Sequence, residues 1–167
     1  MQTMNNDEIY MKLAMEQAQI AADKGEVPVG AVIIRSDSGE VVAVGHNTRE
    51  TSKNALCHAE LDAINNCCQK LGGWRLPRCT MYVTLEPCPM CAGAIINTRI
   101  PRVVIGATDP KVGAMGGVMN LTEYPWNHHP ETVFGVLEEV CSGILKAFFK
   151  DLREQKKAKK QAAAPIS

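Results

Sequence analysis

The chain has 167 residues, 46% of them hydrophobic and 22% charged, and its 18 basic and 18 acidic side chains cancel. These values fit one globular domain long enough to bury its own core. They exclude a membrane span, since no apolar run approaches ~20 residues, and the overall charge gives no support for a nucleic-acid partner.

Residues Met1 to Glu8 carry neither the basic start nor the apolar stretch of a secretory signal, so the cytoplasm is the expected compartment. Seven cysteines, an odd number, suit a reducing environment better than a disulfide framework. Cys67, Cys68 and Cys141 read as small buried apolar residues on helices. Cys57 is a possible alternative metal ligand beside His58.

From Asn6 to Lys24 the pattern is that of an amphipathic helix, capped by Asn6 or Asp7 and ended by Gly25, with Ile9, Leu13 and Ile20 near one face. A β-branched run from Val29 to Ile34 and a second from Val41 to Val44 flank the turn Ser36-Asp37-Ser38-Gly39, giving a hairpin that closes at Gly45-His46-Asn47. A second helix is expected from about Ala55 to Lys70, burying Ala59, Ala63, Ile64, Cys67 and Leu71 and stopped by Gly72-Gly73. Met81 to Leu85 reads as a strand. Pro87-Cys88-Pro89 then opens a third helix to about Asn97, prolines being tolerated in a first turn.

Val103 to Gly106 is the fourth strand, and residues 108–130 form a long, partly helical connection. Thr132 to Val136 is a short fifth strand. A final helix runs from Glu138 to about Lys157 with Val140, Ile144, Phe148 and Leu152 on its apolar side, and residues 161–167 are expected to form a mobile tail after a single domain over 1–160. Strands alternating with helices argue for an α/β sandwich around a mixed sheet. Within 146–160 lie seven basic residues against Asp151 and Glu154, a concentration that either complements the helix dipole or forms a basic surface.

Two motifs carry chemistry. His58-Ala59-Glu60 and, thirty positions on, Pro87-Cys88-Pro89-Met90-Cys91 together supply three soft or borderline ligands and one carboxylate. A structural zinc site closes with four protein ligands, whereas a catalytic one uses three and leaves a position for water. His58, Cys88 and Cys91 make three, which leaves Glu60 free to carry protons. The third strand would bring Pro87 back to where the second helix begins, and the start of the next helix favours thiolate over thiol. His58 and Glu60, two apart, do not share a face of a regular helix, so His58 is expected in an irregular first turn. H-x-E followed by P-C-x-x-C is the known signature of zinc deaminases.

Beyond these motifs, Glu26 to Val32, Gly45-His46-Asn47, Val83 to Ile95, Gly106 to Ala114, Asn127-His128 and Phe148-Phe149 with Arg153 resemble the bacterial tRNA-specific adenosine deaminases, of the zinc-dependent cytidine/deoxycytidylate deaminase superfamily. The resemblance covers about residues 7–155. It implies a cytidine-deaminase-like α/β/α sandwich with a mixed sheet of about five strands, a homodimer, one zinc ion per chain, and hydrolysis of the wobble adenosine of a tRNA anticodon to inosine with loss of ammonia. By the same resemblance His58, Cys88 and Cys91 match zinc ligands, Glu60 the proton shuttle and Asn47 a contact to the target nucleoside. Asp109 and Lys111 match a segment near the RNA backbone. Phe149 and Arg153 match a helix end beside the anticodon loop, with Phe148 read as core. Pro89 departs from the small aliphatic residue more frequent between the two cysteines.

Two other readings share parts of this pattern. A deaminase of a free base or nucleotide (guanine, cytosine or dCMP) would use identical zinc chemistry and differ at the pocket rim. A non-catalytic zinc RNA-binding module would have no use for Glu60.

Overall fold

The computed structural model describes residues 5–166. In chain order it contains α1 (Asn6–Asp23), β1 (Gly30–Arg35), β2 (Val41–His46), α2 (Arg49–Ser52), α3 (Ala59–Leu71), β3 (Cys79–Leu85), α4 (Pro89–Asn97), β4 (Arg102–Ala107), β5 (Glu131–Phe134) and α5 (Glu138–Ala162), with one 3-10 turn at Leu121–Glu123. The strands form one mixed sheet in the order β2-β1-β3-β4-β5. β1 is antiparallel to β2 and β3, and β3, β4 and β5 run parallel.

Successive residues of a strand face opposite ways, and here the two faces meet different helices. Ala31, Ile33, Met81, Val83, Val103 and Ile105 pack with Ala59, Ala63, Ile64, Cys67, Ala92 and Ile95 of α3 and α4. Val32, Ile34, Tyr82 and Val104 pack with Met11 and Ala14 of α1 and Cys141 of α5. The result is the α/β/α sandwich with a five-stranded mixed sheet that the sequence led us to expect. Among the described residues, no helix is long and apolar enough to cross a membrane.

The helices seat closely because small residues meet small residues. A Cβ at Gly30 would run into the Ala14 carbonyl of α1; one at Gly45 would run into the Ala59 carbonyl and stand 2.6 Å from the Ala63 nitrogen of α3. This packing explains a departure from expectation in α1. Its buried residues are Met11, Ala14, Ala18 and Ala21, whereas Ile9 and Ile20 are 39% and 38% exposed. Where α1 presses on Gly30 only small side chains fit, so Ala14 and Ala18 turn inward, with Met11 buried one turn earlier. At its start α1 is tied to β4 by Arg102, whose Nη1 and Nη2 meet Asp7 at 3.0 and 2.8 Å and hold that carboxyl below its usual range.

The last helix also differs from expectation. It continues to Ala162, past Lys157, since the Lys/Ala/Gln sequence suits a helix until Pro165; Ser167 lies outside the described residues. Only Cys141 of α5 is buried. Val140 is exposed, and Phe148 is half-buried in a hollow between α1 and α5 instead of entering the core.

The close approach at Gly45 sets how near α3 lies to the sheet. Gly45→Ala should therefore lower stability by about 1–3 kcal/mol, the usual cost of overpacking, as measured by chemical denaturation. An unchanged midpoint would mean that α3 is free to shift.

Candidate active site

The sequence pattern suggested a helix from about Ala55, but α3 starts at Ala59. The intervening chain is diverted by local hydrogen bonds that compete with helix formation. Asn54 Oδ1 accepts from the Leu56 N–H at 3.0 Å, its carbonyl accepts from Cys57 at 3.1 Å, and the Leu56 carbonyl accepts from His58 at 2.8 Å. Lys53, at φ 50°, ends the short α2. His58 is consequently the N-cap of α3, with extended backbone at φ −86° and ψ 152°, while its carbonyl accepts the Asp62 N–H. An extended residue before a helix is released from the helical angular spacing, so His58 and Glu60 can both face one cavity despite being two apart.

Cys88 plays the same part at α4, as an N-cap with φ −71° and ψ 173°. Pro89 follows in the first turn, where its missing N–H leaves no intrahelical bond unmade. The Glu86 N–H donates to the Ala107 carbonyl at 2.8 Å, carrying the β3–β4 ladder to the edge of the site. The two helix starts thus meet beside the end of β3.

The His58 Nδ1 atom lies 3.7 Å from Cys88 Sγ and 3.5 Å from Cys91 Sγ. With zinc–sulfur bonds of about 2.3 Å and zinc–nitrogen bonds of about 2.0–2.1 Å, a tetrahedral site separates such donors by about 3.6 Å. Imidazole with two sulfurs is also a donor set that zinc favours, so the three residues fit that ion in both spacing and chemistry. They form the single cluster of three His, Cys, Asp or Glu donors with metal-holding geometry among the described residues. Cys57 is outside it.

The Cys88 thiol is drawn down to about 4, first by the Cys91 thiol that donates to it and then by His58. Cys91 is pushed up by the same hydrogen bond and by burial, and His58 is raised by Cys88. Glu60, 4% exposed, is pushed up to about 7 by burial, against the opposing pull of its own backbone N–H and of His58. A carboxyl poised there exchanges protons readily near neutrality.

Asn47, His58, Glu60, Cys88 and Asp109 line one cavity of about 190 Å³, together with Val27, Val29, Arg49, Ala59, Leu85, Glu86 and Val112. The Asn47 Nδ2 donates to the Val27 carbonyl at 3.4 Å, and its buried Oδ1 has no partner among the described residues. A second hollow, of about 620 Å³, shares Val27, Leu85 and Asp109 with the first and is lined by Lys111, Lys146, Phe149 and Arg153 among others. Eight of the nine residues singled out from sequence therefore fall on two adjoining hollows, and the ninth, Cys91, is fully buried and completes the donor cluster. Arg49 and Glu86 also line the reaction cavity and were not anticipated. Nothing in an isolated Arg or Glu marks it as facing a cavity, although an acid between the apolar end of a strand and a proline was an available hint at Glu86.

The family described as MafB19-like deaminase matches residues 5–153. Over 156 residues the chain is 53% identical to the tRNA-specific adenosine deaminase of Bacillus subtilis (strain 168), covering 93% of this chain and 96% of that one. A solved structure from a study of A-to-I editing by tRNA:A34 deaminases at the wobble position of transfer RNA aligns with a TM-score of 0.79 and 39% identity, over 82% of this chain and 99% of its own. A guanine deaminase from Nitrosomonas europaea aligns with a TM-score of 0.72 at 24% identity, over 84% and 83% of the two chains, and shows a shared fold alone.

Three donors that are spaced for a metal should bind one. Purified protein is expected to carry one zinc per chain by elemental analysis, and Cys88→Ser and Cys91→Ser should each lose it and melt at lower temperature. Zinc-free wild type, or fully loaded variants, would contradict this assignment.

Proposed function

The chain belongs to the MafB19-like deaminase family, beside the tRNA-specific adenosine deaminases it matches over most of its length, and we propose that it converts adenosine to inosine at the wobble position of a tRNA anticodon. The overall reaction consumes one water and releases one ammonia. The observation that carries this reading is a buried carboxyl, Glu60, beside a cluster of three donors with no fourth ligand among the described residues.

His58, Cys88 and Cys91 would hold one zinc ion. Bound there, zinc supplies a Lewis acid that makes water nucleophilic near neutral pH. Glu60 is the proton carrier. Its carboxylate takes a proton as water adds to the base, passes a proton to a ring nitrogen, and assists departure of ammonia. Burial keeps the carboxyl close to the balance point between its two forms, which suits a group that must both take and give.

Asn47 orients the nucleoside. Its amide nitrogen is committed to the Val27 carbonyl, so its Oδ1 awaits a hydroxyl or amine donor from the substrate. A cavity of about 190 Å³ is smaller than the ~300–1,000 Å³ typical of sites for whole small molecules. It suits a base turned out of its strand, with the rest of the RNA outside. A loop nucleotide is the least costly to unstack. The adjoining hollow offers Phe149 for stacking and Lys111, Lys146 and Arg153 for phosphates, with Asp109 at the join. Cytoplasmic tRNA as partner and a homodimer as the assembled form accompany this reading.

A deaminase of a free base or nucleotide remains the second reading, because the reaction cavity alone would serve it. The basic, aromatic hollow next door favours the RNA substrate.

Glu60→Ala should retain zinc and RNA binding while deamination falls by 10²–10⁴-fold, the usual contribution of a general acid–base group. Loss of zinc in that variant would make Glu60 a ligand, and near-normal turnover would remove it from the mechanism. Neutralising Arg153, Lys156 and Lys157 should weaken tRNA binding and flatten its salt dependence, by roughly one unit of slope for each side chain that pairs with a phosphate. Unaltered affinity and slope would reduce these residues to a solvated helix end.

A further inference from the structure

Two carboxylates outside the reacting groups are almost wholly buried: Glu26 at 0% exposure and Glu86 at 2%. Each is held by three donors from a neighbouring segment. Glu86 Oε1 accepts from the Asp109 N–H at 3.1 Å, and its Oε2 accepts from Met115 at 3.0 Å and Gly117 at 2.8 Å. Glu26 Oε1 accepts from the Thr51 N–H at 2.6 Å and the Thr51 hydroxyl at 3.1 Å, and its Oε2 from the Glu50 N–H at 3.1 Å.

The clasped segments each contribute to the cavity wall. The Glu86 segment carries Asp109 and Val112; the Glu26 segment carries Arg49 and follows directly from Asn47. We propose that Glu26 and Glu86 are positioning residues, each fixing one wall of the reaction cavity through the backbone it clasps. This builds on the preceding reading only in taking that cavity as the place where substrate binds.

The chemistry requires carboxylates. Each group has two acceptor oxygens and no donor, and it faces three donors. Hydrogen bonds to a charged acceptor are stronger than neutral ones, and without them a buried charge would be very costly. Glutamine has nearly the same shape, but its NH₂ would confront at least one of the same donors. Around Glu86 the fit is tight enough to dictate the loop sequence. A Cβ at Gly117 would stand 2.5 Å from Glu86 Oε1, and one at Gly113 would stand 2.5 Å from its Cδ. The loop is further closed by the Ala114 N–H on the Pro87 carbonyl at 2.9 Å, next to Cys88. A shift of this loop would therefore move Asp109 and Val112 relative to the donor cluster.

The test compares wild type with Glu86→Gln and Glu26→Gln in the full chain. The readouts are zinc content, hydrogen exchange of segments 109–117 and 48–54 with β3 as internal reference, and steady-state kinetics on an anticodon stem–loop. Each variant should quicken exchange roughly tenfold or more in its own segment and leave β3 and zinc unchanged. KM should rise about tenfold with kcat within about twofold, since a displaced wall forfeits uniform binding. Gly117→Ala presses on the Glu86 carboxylate from the loop side and should reproduce the Glu86→Gln pattern, so the proposal stays testable if Glu86→Gln does not fold. Unchanged exchange would overturn the clasps, zinc loss in parallel would assign the residues to the metal shell, and a lower melting temperature with KM intact would make them purely structural. A wild type inactive on the stem–loop would sink the substrate reading, while exchange still decides whether the clasps exist.

Discussion

Two helix starts meet beside the end of β3, and the chemistry of this protein depends on that meeting. His58 caps α3 and Cys88 caps α4 with extended backbone, while Cys91 lies one turn into α4. The two sulfurs stand 3.5 and 3.7 Å from the imidazole nitrogen because both helices are seated closely on the same face of the sheet. Gly45 lets α3 approach through Ala59 and Ala63, and the buried Ala92 and Ile95 seat α4. Small residues under α3 thus govern distances between sulfur and nitrogen atoms at its end. A core built this way transmits strain, since packed interiors deform little.

The same packing sets the electrostatics. Glu60 follows His58 by two positions, so placing the histidine in the cluster draws the carboxyl into the protein, where burial raises its pKa to about 7. The fold therefore places a buried carboxyl beside the donor cluster as a consequence of where α3 begins. Two other buried acids, Glu26 and Glu86, are stabilised differently, by backbone N–H donors and a threonine hydroxyl. Glu26 and Glu86 each face three donors from another segment, whereas Glu60 lies beside the donor cluster with its pKa raised chiefly by burial.

Much of this was legible beforehand, for identifiable reasons. The β-branched runs and the Gly and Pro punctuation marked the strands, and the spacing of His58, Glu60, Cys88 and Cys91 marked the donor cluster because metal chemistry tolerates few residue types. Periodicity misled where size mattered more than polarity. In α1 it selected Ile9 and Ile20, but the close approach of Gly30 turns the face of Ala14 and Ala18 inward, together with Met11 and Ala21. In α5 it assigned Val140 and Phe148 to the core, though Cys141 alone of that helix is buried. The start of α3 was misplaced by four residues because Asn54 organises a local turn that competes with the helix and that the apolar periodicity does not encode. Glu26 and Glu86 were silent for a similar reason: burial of an acid depends on donors contributed from distant segments.

The substrate is the central claim, and product analysis tests it most directly. Purified, zinc-loaded protein would be incubated with an anticodon stem–loop bearing a wobble adenosine and, separately, with free adenosine, guanine, cytosine and dCMP, measuring ammonia and the deaminated product. Our account predicts inosine at the wobble position and no comparable ammonia release from the free compounds. Rapid ammonia release from guanine or cytosine, with the stem–loop left unedited, would contradict it.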